Sequence, residues 1–126
     1  MKIADIYGLP FISVQLVYRG KKLTLKKVLL DTGSASTLLN ADVVMIIGMI
    51  PEENDVVNTI RGVGGIEYVY TKSLDSIAVD GTVVENFEIE IGSMDYGLEI
   101  DGILGFNFMK QTGAVINLNS MEILLK

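Results

Sequence analysis

Asp31, Thr32, Gly33 and Ser34 are the residues of this chain best arranged to do chemistry. They follow Leu29-Leu30, an apolar pair that predicts a buried strand ending in a tight loop, so the Asp31 carboxylate emerges beside the core. A carboxylate held in that way suits acid–base catalysis. Asp, Thr and Gly are also common turn formers, so the tripeptide alone fits an ordinary turn equally well. What the chain lacks narrows the chemistry. With no Cys and no His, it has no disulfides, no thiol catalysis, no Cys- or His-based metal site and no Ser-His pair. Hydrolysis here would rest on carboxylates, Lys, Tyr or hydroxyls. No metal or cofactor is expected: the acids of residues 51–55 match no calcium-loop spacing and are expected to form a solvated surface.

The elements that must position Asp31 are mostly β. The chain of 126 residues fits one domain, residues 1–126, with 13 Gly and 2 Pro. Ile12, Val14, Leu16 and Tyr18 alternate with more polar residues, then Arg19-Gly20-Lys21 turns the chain into a second strand that runs on to Leu30. Asn40 as N-cap, Asp42 in the first turn and Gly48 as terminator favour a short helix over residues 41–48. Val43, Val44, Ile46 and Ile47 pull the same segment towards strand. Strands are expected over residues 66–71 and 77–79. Asp80-Gly81 forms a type I′ turn into a further strand carrying Phe87, Ile89 and Ile91. Residues 106–112 read as a helix with Phe106, Phe108 and Met109 on its apolar face and Gly113 at its end. A hairpin turning at Asn119-Ser120 closes the chain.

Charge and hydropathy exclude other classes. The net charge of −6 disfavours nucleic acid, which demands a cationic face. The apolar run over residues 43–50 is far shorter than the ~20 residues needed to span a bilayer. Residues 1–5 lack the apolar core of a signal peptide, so a cytoplasmic protein without membrane contact is expected.

Three segments in order carry a family likeness. The first is the hairpin leading into Leu29-Leu30-Asp31-Thr32-Gly33-Ser34. The second is the glycine-rich Gly62-Val63-Gly64-Gly65-Ile66, in a β-hairpin. The third is Gly102-Ile103-Leu104-Gly105-Phe106-Asn107-Phe108. Together they resemble the retropepsin-like aspartic proteases, from Pro10 to Lys126. The closing hairpin is most similar to bacterial and retrotransposon-type members. The resemblance implies a mostly β, closed-barrel-like acid-protease fold with one or two short helices, acting as a two-fold homodimer.

It also implies roles. Two carboxylates sharing one proton would activate water and polarise the scissile carbonyl. The chain holds one Asp-Thr-Gly; Asp80-Gly81-Thr82 and Asp75-Ser76-Ile77 do not match it. The pair would therefore be Asp31 from each of two copies. Thr32 would bond across the two-fold axis, the Gly33 N–H would approach the carboxylate, and Ser34 would donate to its outer oxygen. Gly62, Val63, Gly64, Gly65 and Ile66 would form a flap over a peptide or protein substrate, with Val63, Ile66, Ile103 and Leu104 lining apolar subsites. The same features leave open a catalytically silent dimeric module that binds peptide, or one whose fold serves dimerisation alone.

Overall fold

A computed structural model describes residues 1–62 and 65–126, with side chains for residues 1–60 and 66–126. A short strand, β1 (Ala4–Ile6), turns back into β2 (Leu9–Tyr18). The alternation along β2 buries Ile12, Val14, Leu16 and Tyr18. Arg19 and Gly20, both at positive φ, lead into β3 (Lys21–Leu30). The Asp75 carboxylate holds that turn by accepting the N–H groups of Arg19 at 3.1 Å and Gly20 at 2.9 Å.

One bulge interrupts the β2–β3 ladder. Ile12 pairs with Val28 but Val14 pairs with Leu25, so Lys26 and Lys27 together oppose Ser13. Their two consecutive N–H groups both donate to one oxygen of Asp101, at 3.1 and 3.0 Å. Asp101 is thus a fastener of the β3 backbone rather than the exposed acid that its polar neighbourhood suggests.

After β4 (Leu38–Asn40), the chain enters α1 (Ala41–Val44), and the Asn40 side chain accepts the Asp42 N–H. A 3-10 turn over Met45–Ile47 follows, closed by left-handed Gly48. Helix prevails over the β-branched composition because both ends are capped and Val44 and Ile47 face the core. The hairpin of β5 (Val57–Gly62) and β6 (Gly65–Val79) comes next. β6 is a single strand of 15 residues, where the sequence suggests two shorter ones. Lys72 hides the continuity, because it points inward and interrupts the apolar alternation.

The Asp80-Gly81 turn, with φ of 48° and 83°, opens β7 (Thr82–Gly92). Leu74 pairs with Phe87 and Ile77 with Val84, and all four are buried. The buried parity therefore switches in both strands, beside Asn86 at φ 52°. The remaining elements are β8 (Gly102–Leu104), α2 (Phe106–Thr112), β9 (Val115–Asn117) and β10 (Glu122–Leu124). Phe108 on α2 meets Phe87 edge-on, with centroids 5.7 Å apart, a geometry worth roughly 1 kcal/mol beyond burial. Phe106, expected on the same apolar face, is exposed instead.

The strands form an eight-stranded sheet in the order β1-β2-β3-β8-β4-β7-β6-β5, and a further pairing of β2 with β6 brings the series back on itself. β8 lies between β3, its parallel neighbour, and β4, its antiparallel one. That insertion sets the end of β3, where Asp31 emerges, against the end of β8. Among the described residues no helix is long and apolar enough to cross a membrane.

The loop of residues 51–55 is not merely a solvated acidic surface. Lys72, 6% exposed, pairs with Glu52 and, at 2.8 Å, with Asp55. Arg19 donates two hydrogen bonds to Glu52 at 2.7 and 3.2 Å. These bonds from Arg19 and Lys72 pull the Glu52 carboxyl down to about 2, and the Lys72 bond lowers Asp55 as well. A carboxyl depressed on folding stabilises fully above its unfolded pKa and loses that contribution as pH falls through the folded one. The melting temperature is therefore expected to fall as pH drops from about 4.5 towards about 2. Glu52→Gln, less stable at neutral pH, is expected to fall less steeply across that window in thermal melts followed by circular dichroism. Equal slopes would refute the contribution of this ion pair.

Candidate active site

Asp31 stands at the end of β3, half-buried, with its backbone N–H donating to the Leu104 carbonyl at 3.1 Å. The chain then reverses: the Ser34 N–H donates to the Asp31 carbonyl at 3.2 Å, and the Gly33 N–H donates to Asp31 Oδ1 at 2.9 Å. One carboxylate oxygen is thereby oriented by the loop's own backbone. Thr32 and Gly33 lie exposed at the loop tip.

The loop is stitched to the segment after β8. The Phe106 N–H donates to the Ser34 carbonyl at 2.7 Å. Thr37, fully buried, donates its hydroxyl to Asn107 Oδ1 at 2.9 Å and accepts the Gly105 N–H at 3.1 Å. The contact is so close that a Cβ at position 105 would lie 2.1 Å from the Ser36 carbonyl oxygen and 2.8 Å from that of Ser34. Only glycine fits.

Two expected contacts take a different form. Ser34 gives its hydroxyl to the Ser36 carbonyl, at 2.7 Å, and not to the carboxylate, because the loop curls back on itself there. Leu104, expected to line a subsite, is 0% exposed. Its side chain belongs to the core, and it reaches the site through its carbonyl. Ile103, one position earlier, is half-buried and pairs with Leu29 in the ladder. Both pack against a second cluster that contains Phe11, Leu38, Val69, Met94 and Ile100.

In the β5–β6 hairpin, Gly62 pairs with Gly65, and Ile66 is exposed. Val63 and Gly64, the expected tip, lie outside the described residues. Tyr68 and Tyr70 share a face by alternation, yet one is 74% exposed and the other 9%. The register explains the contrast: β7 pairs with β6 only from Tyr70 onward, so the residues before it form an arm paired with β5 alone.

Thr37 and Asn107 are the residues that sequence reasoning misses. Their partnership spans 70 positions, and no local pattern signals it. Thr37→Val keeps the shape but leaves the buried Gly105 N–H without an acceptor, so a loss of about 2 kcal/mol is expected in urea denaturation. A change within experimental error would show that the stitch carries no stability.

Family comparison agrees with this geometry. A model of the aspartyl protease family matches residues 14–108, a span that contains both the Asp31 loop and the Gly105 segment. Among solved structures the chain is similar to a retropepsin-like aspartic protease from Rickettsia conorii, with a TM-score of 0.69 and 20% identity. The match covers 97% of this chain and 95% of that one. No curated protein matches. At that identity the structural likeness speaks for the fold, and the family model speaks for the lineage. The chain belongs to the aspartyl protease family and has a retropepsin-like fold.

Proposed function

We propose that the protein is a homodimeric aspartic endopeptidase in which Asp31 of each copy supplies one carboxylate of the catalytic pair. The observation that carries this is the Asp31 loop itself. A partly exposed carboxylate is oriented by the Gly33 N–H at 2.9 Å, in a loop held by Thr37 and Gly105. The chain has only one Asp-Thr-Gly, so a second acid must come from a second copy. Two carboxylates at close range cannot both ionise easily and share a proton, behaviour for which aspartic-protease dyads are the standard case. The ionised member takes a proton from water while the protonated member polarises the peptide carbonyl.

The neighbours have roles in this scheme. Thr32, exposed at the loop tip, bonds across the axis to hold the two loops in register. Gly62, Gly65 and Ile66, at the end of the described β5–β6 arm, cover an extended peptide and exclude water. Ile66 and Ile103 contribute apolar subsites. Ser34 supports the loop through Ser36.

The surface that receives the second copy is the C-terminal hairpin. One side of β10 is covered within the chain: Lys2 bridges Glu122, the Ile3 N–H donates to Met121 and the Ile123 N–H to Met1. The outer edge of β9 has no partner strand among the described residues. Val115 on β9, Leu118 just after it and Leu124 on β10 are exposed on this hairpin. An apolar, open strand edge favours pairing with its own symmetry mate.

Two experiments test the proposal. Native protein and Asp31→Asn are incubated with a diverse peptide library from pH 4 to 8, and products are read by mass spectrometry. Cleavage by the native form, reduced at least about a hundredfold in the variant, is expected. No cleavage by the native dimer would instead point to a peptide-binding module. Separately, Val115→Lys with Leu118→Lys is expected to give a monomer in sedimentation velocity and to abolish cleavage. A dimer that survives the double substitution would move the interface elsewhere.

A further inference from the structure

Glu67 sits on the arm of the β5–β6 hairpin, opposite Ile60. Its carboxylate engages the loop after β7. Oε1 accepts the Met94 N–H at 2.8 Å and the Ser93 hydroxyl at 3.2 Å, and Oε2 accepts the Tyr96 hydroxyl at 2.7 Å. All three donors are uncharged. Room for this contact is made by Gly92, where a Cβ would lie 2.6 Å from Glu67 Oε1 and 3.0 Å from Val69 Cγ1. The side chain therefore lies across bare backbone to reach the loop. Burial and the bond to Glu67 raise the Tyr96 pKa, so its phenol stays a donor at neutral pH and above.

The two parts joined by this contact share the second cluster, on which Leu29 of the strand that leads to Asp31 also packs. On one side is the arm, whose Ile60 packs on the second cluster. On the other is the segment that leads from β7 to β8 and sends Met94 and Ile100 into the same cluster, against Leu29 and Ile103. Leu29 precedes the site by two residues. Apolar packing alone lets such surfaces slide; three directional hydrogen bonds to one carboxylate set their spacing.

We propose that Glu67 is a positioning residue that ties the β5–β6 arm to residues 93–96, so that arm and loop keep a fixed spacing beside the strand that ends at Asp31. The catalytic part of this role rests on the protease assignment proposed for the chain; the tether itself does not.

The test uses the full chain as native protein, Glu67→Ala, Glu67→Gln and Tyr96→Phe. Amide hydrogen exchange is measured first. Glu67→Ala is expected to speed exchange at Met94 and across residues 57–60 and 66–69 by about tenfold, with β3 and α2 unchanged. Tyr96→Phe, which removes one bond, is expected to give a smaller rise in the same places. Glu67→Gln keeps an oxygen that accepts the Met94 N–H and is expected to restore most of the protection. Arm amides that exchange as in the native protein when Glu67 is Ala would overturn the tether, and so would a Gln variant as loose as Ala.

Cleavage kinetics then separate positioning from simple loss of folded protein. Glu67→Ala is expected to raise KM about tenfold with kcat held within about twofold, since the arm grips substrate and transition state alike. A fall in kcat at constant KM would reject the positioning role. Absence of cleavage by the native protein would overturn the protease assignment, and the exchange data would still decide the tether.

Discussion

The structure depends on how closely the loop of residues 31–37 approaches Gly105. Carbonyl oxygens of Ser34 and Ser36 occupy the space that any side chain at position 105 would need. Such an approach buries polar backbone, and buried backbone must be paired. Thr37 meets that demand because a hydroxyl donates and accepts from one atom: it takes the Gly105 N–H and gives its own proton to Asn107. The insertion of β8 between β3 and β4 brings these partners together. Asp31 is oriented because its loop is pinned from behind through Ser34, Thr37 and Gly105.

The same logic governs the acids. In an acidic chain, many carboxylates would be taken for solubilising charge, yet several fasten the fold. Asp75 and Asp101 each receive two consecutive backbone N–H groups, one pair at a hairpin turn and one at a β-bulge. Both are places where the ladder leaves donors without a strand partner, and a carboxylate can accept more than one of them. Lys72 extends the pattern to a buried cation. Burial opposes its charge, but the hydrogen bonds to Asp55 and Glu52 outweigh that cost and raise its pKa.

Two of these contacts, through Lys72 and Glu67, hold the β5–β6 hairpin. Its outer root is held by ion pairs, through the loop that carries Glu52 and Asp55. Its inner face is held by neutral donors, through Glu67. On the tip side of Tyr70 the arm pairs, among the described residues, with no strand but its own partner in the hairpin. An element built in this way is anchored at its base by charge and along its length by the three bonds to Glu67.

Much of the architecture is legible in the residues alone. The alternation in β2 and β7, the Asp80-Gly81 turn, the Asn40 and Gly48 caps and the helix ending at Gly113 all depend on neighbours within a few positions. Local chemistry suffices for them. The Asp31 loop and its family likeness were visible for the same reason: Leu29 to Ser34 is one short contiguous stretch. The continuity of β6, the burial of Leu104, the turn of Ser34 towards Ser36 and the duties of Thr37, Glu67, Lys72 and Asp101 were decided only by the tertiary structure. Most of these are contacts across 20 to 75 positions, set by strand order and by a bulge that shifts the register. A side chain's type limits which bonds it can make. Which partner lies within reach is a property of the assembled sheet, so the sequence determined the candidate chemistry and the fold decided which polar residues remain available for it.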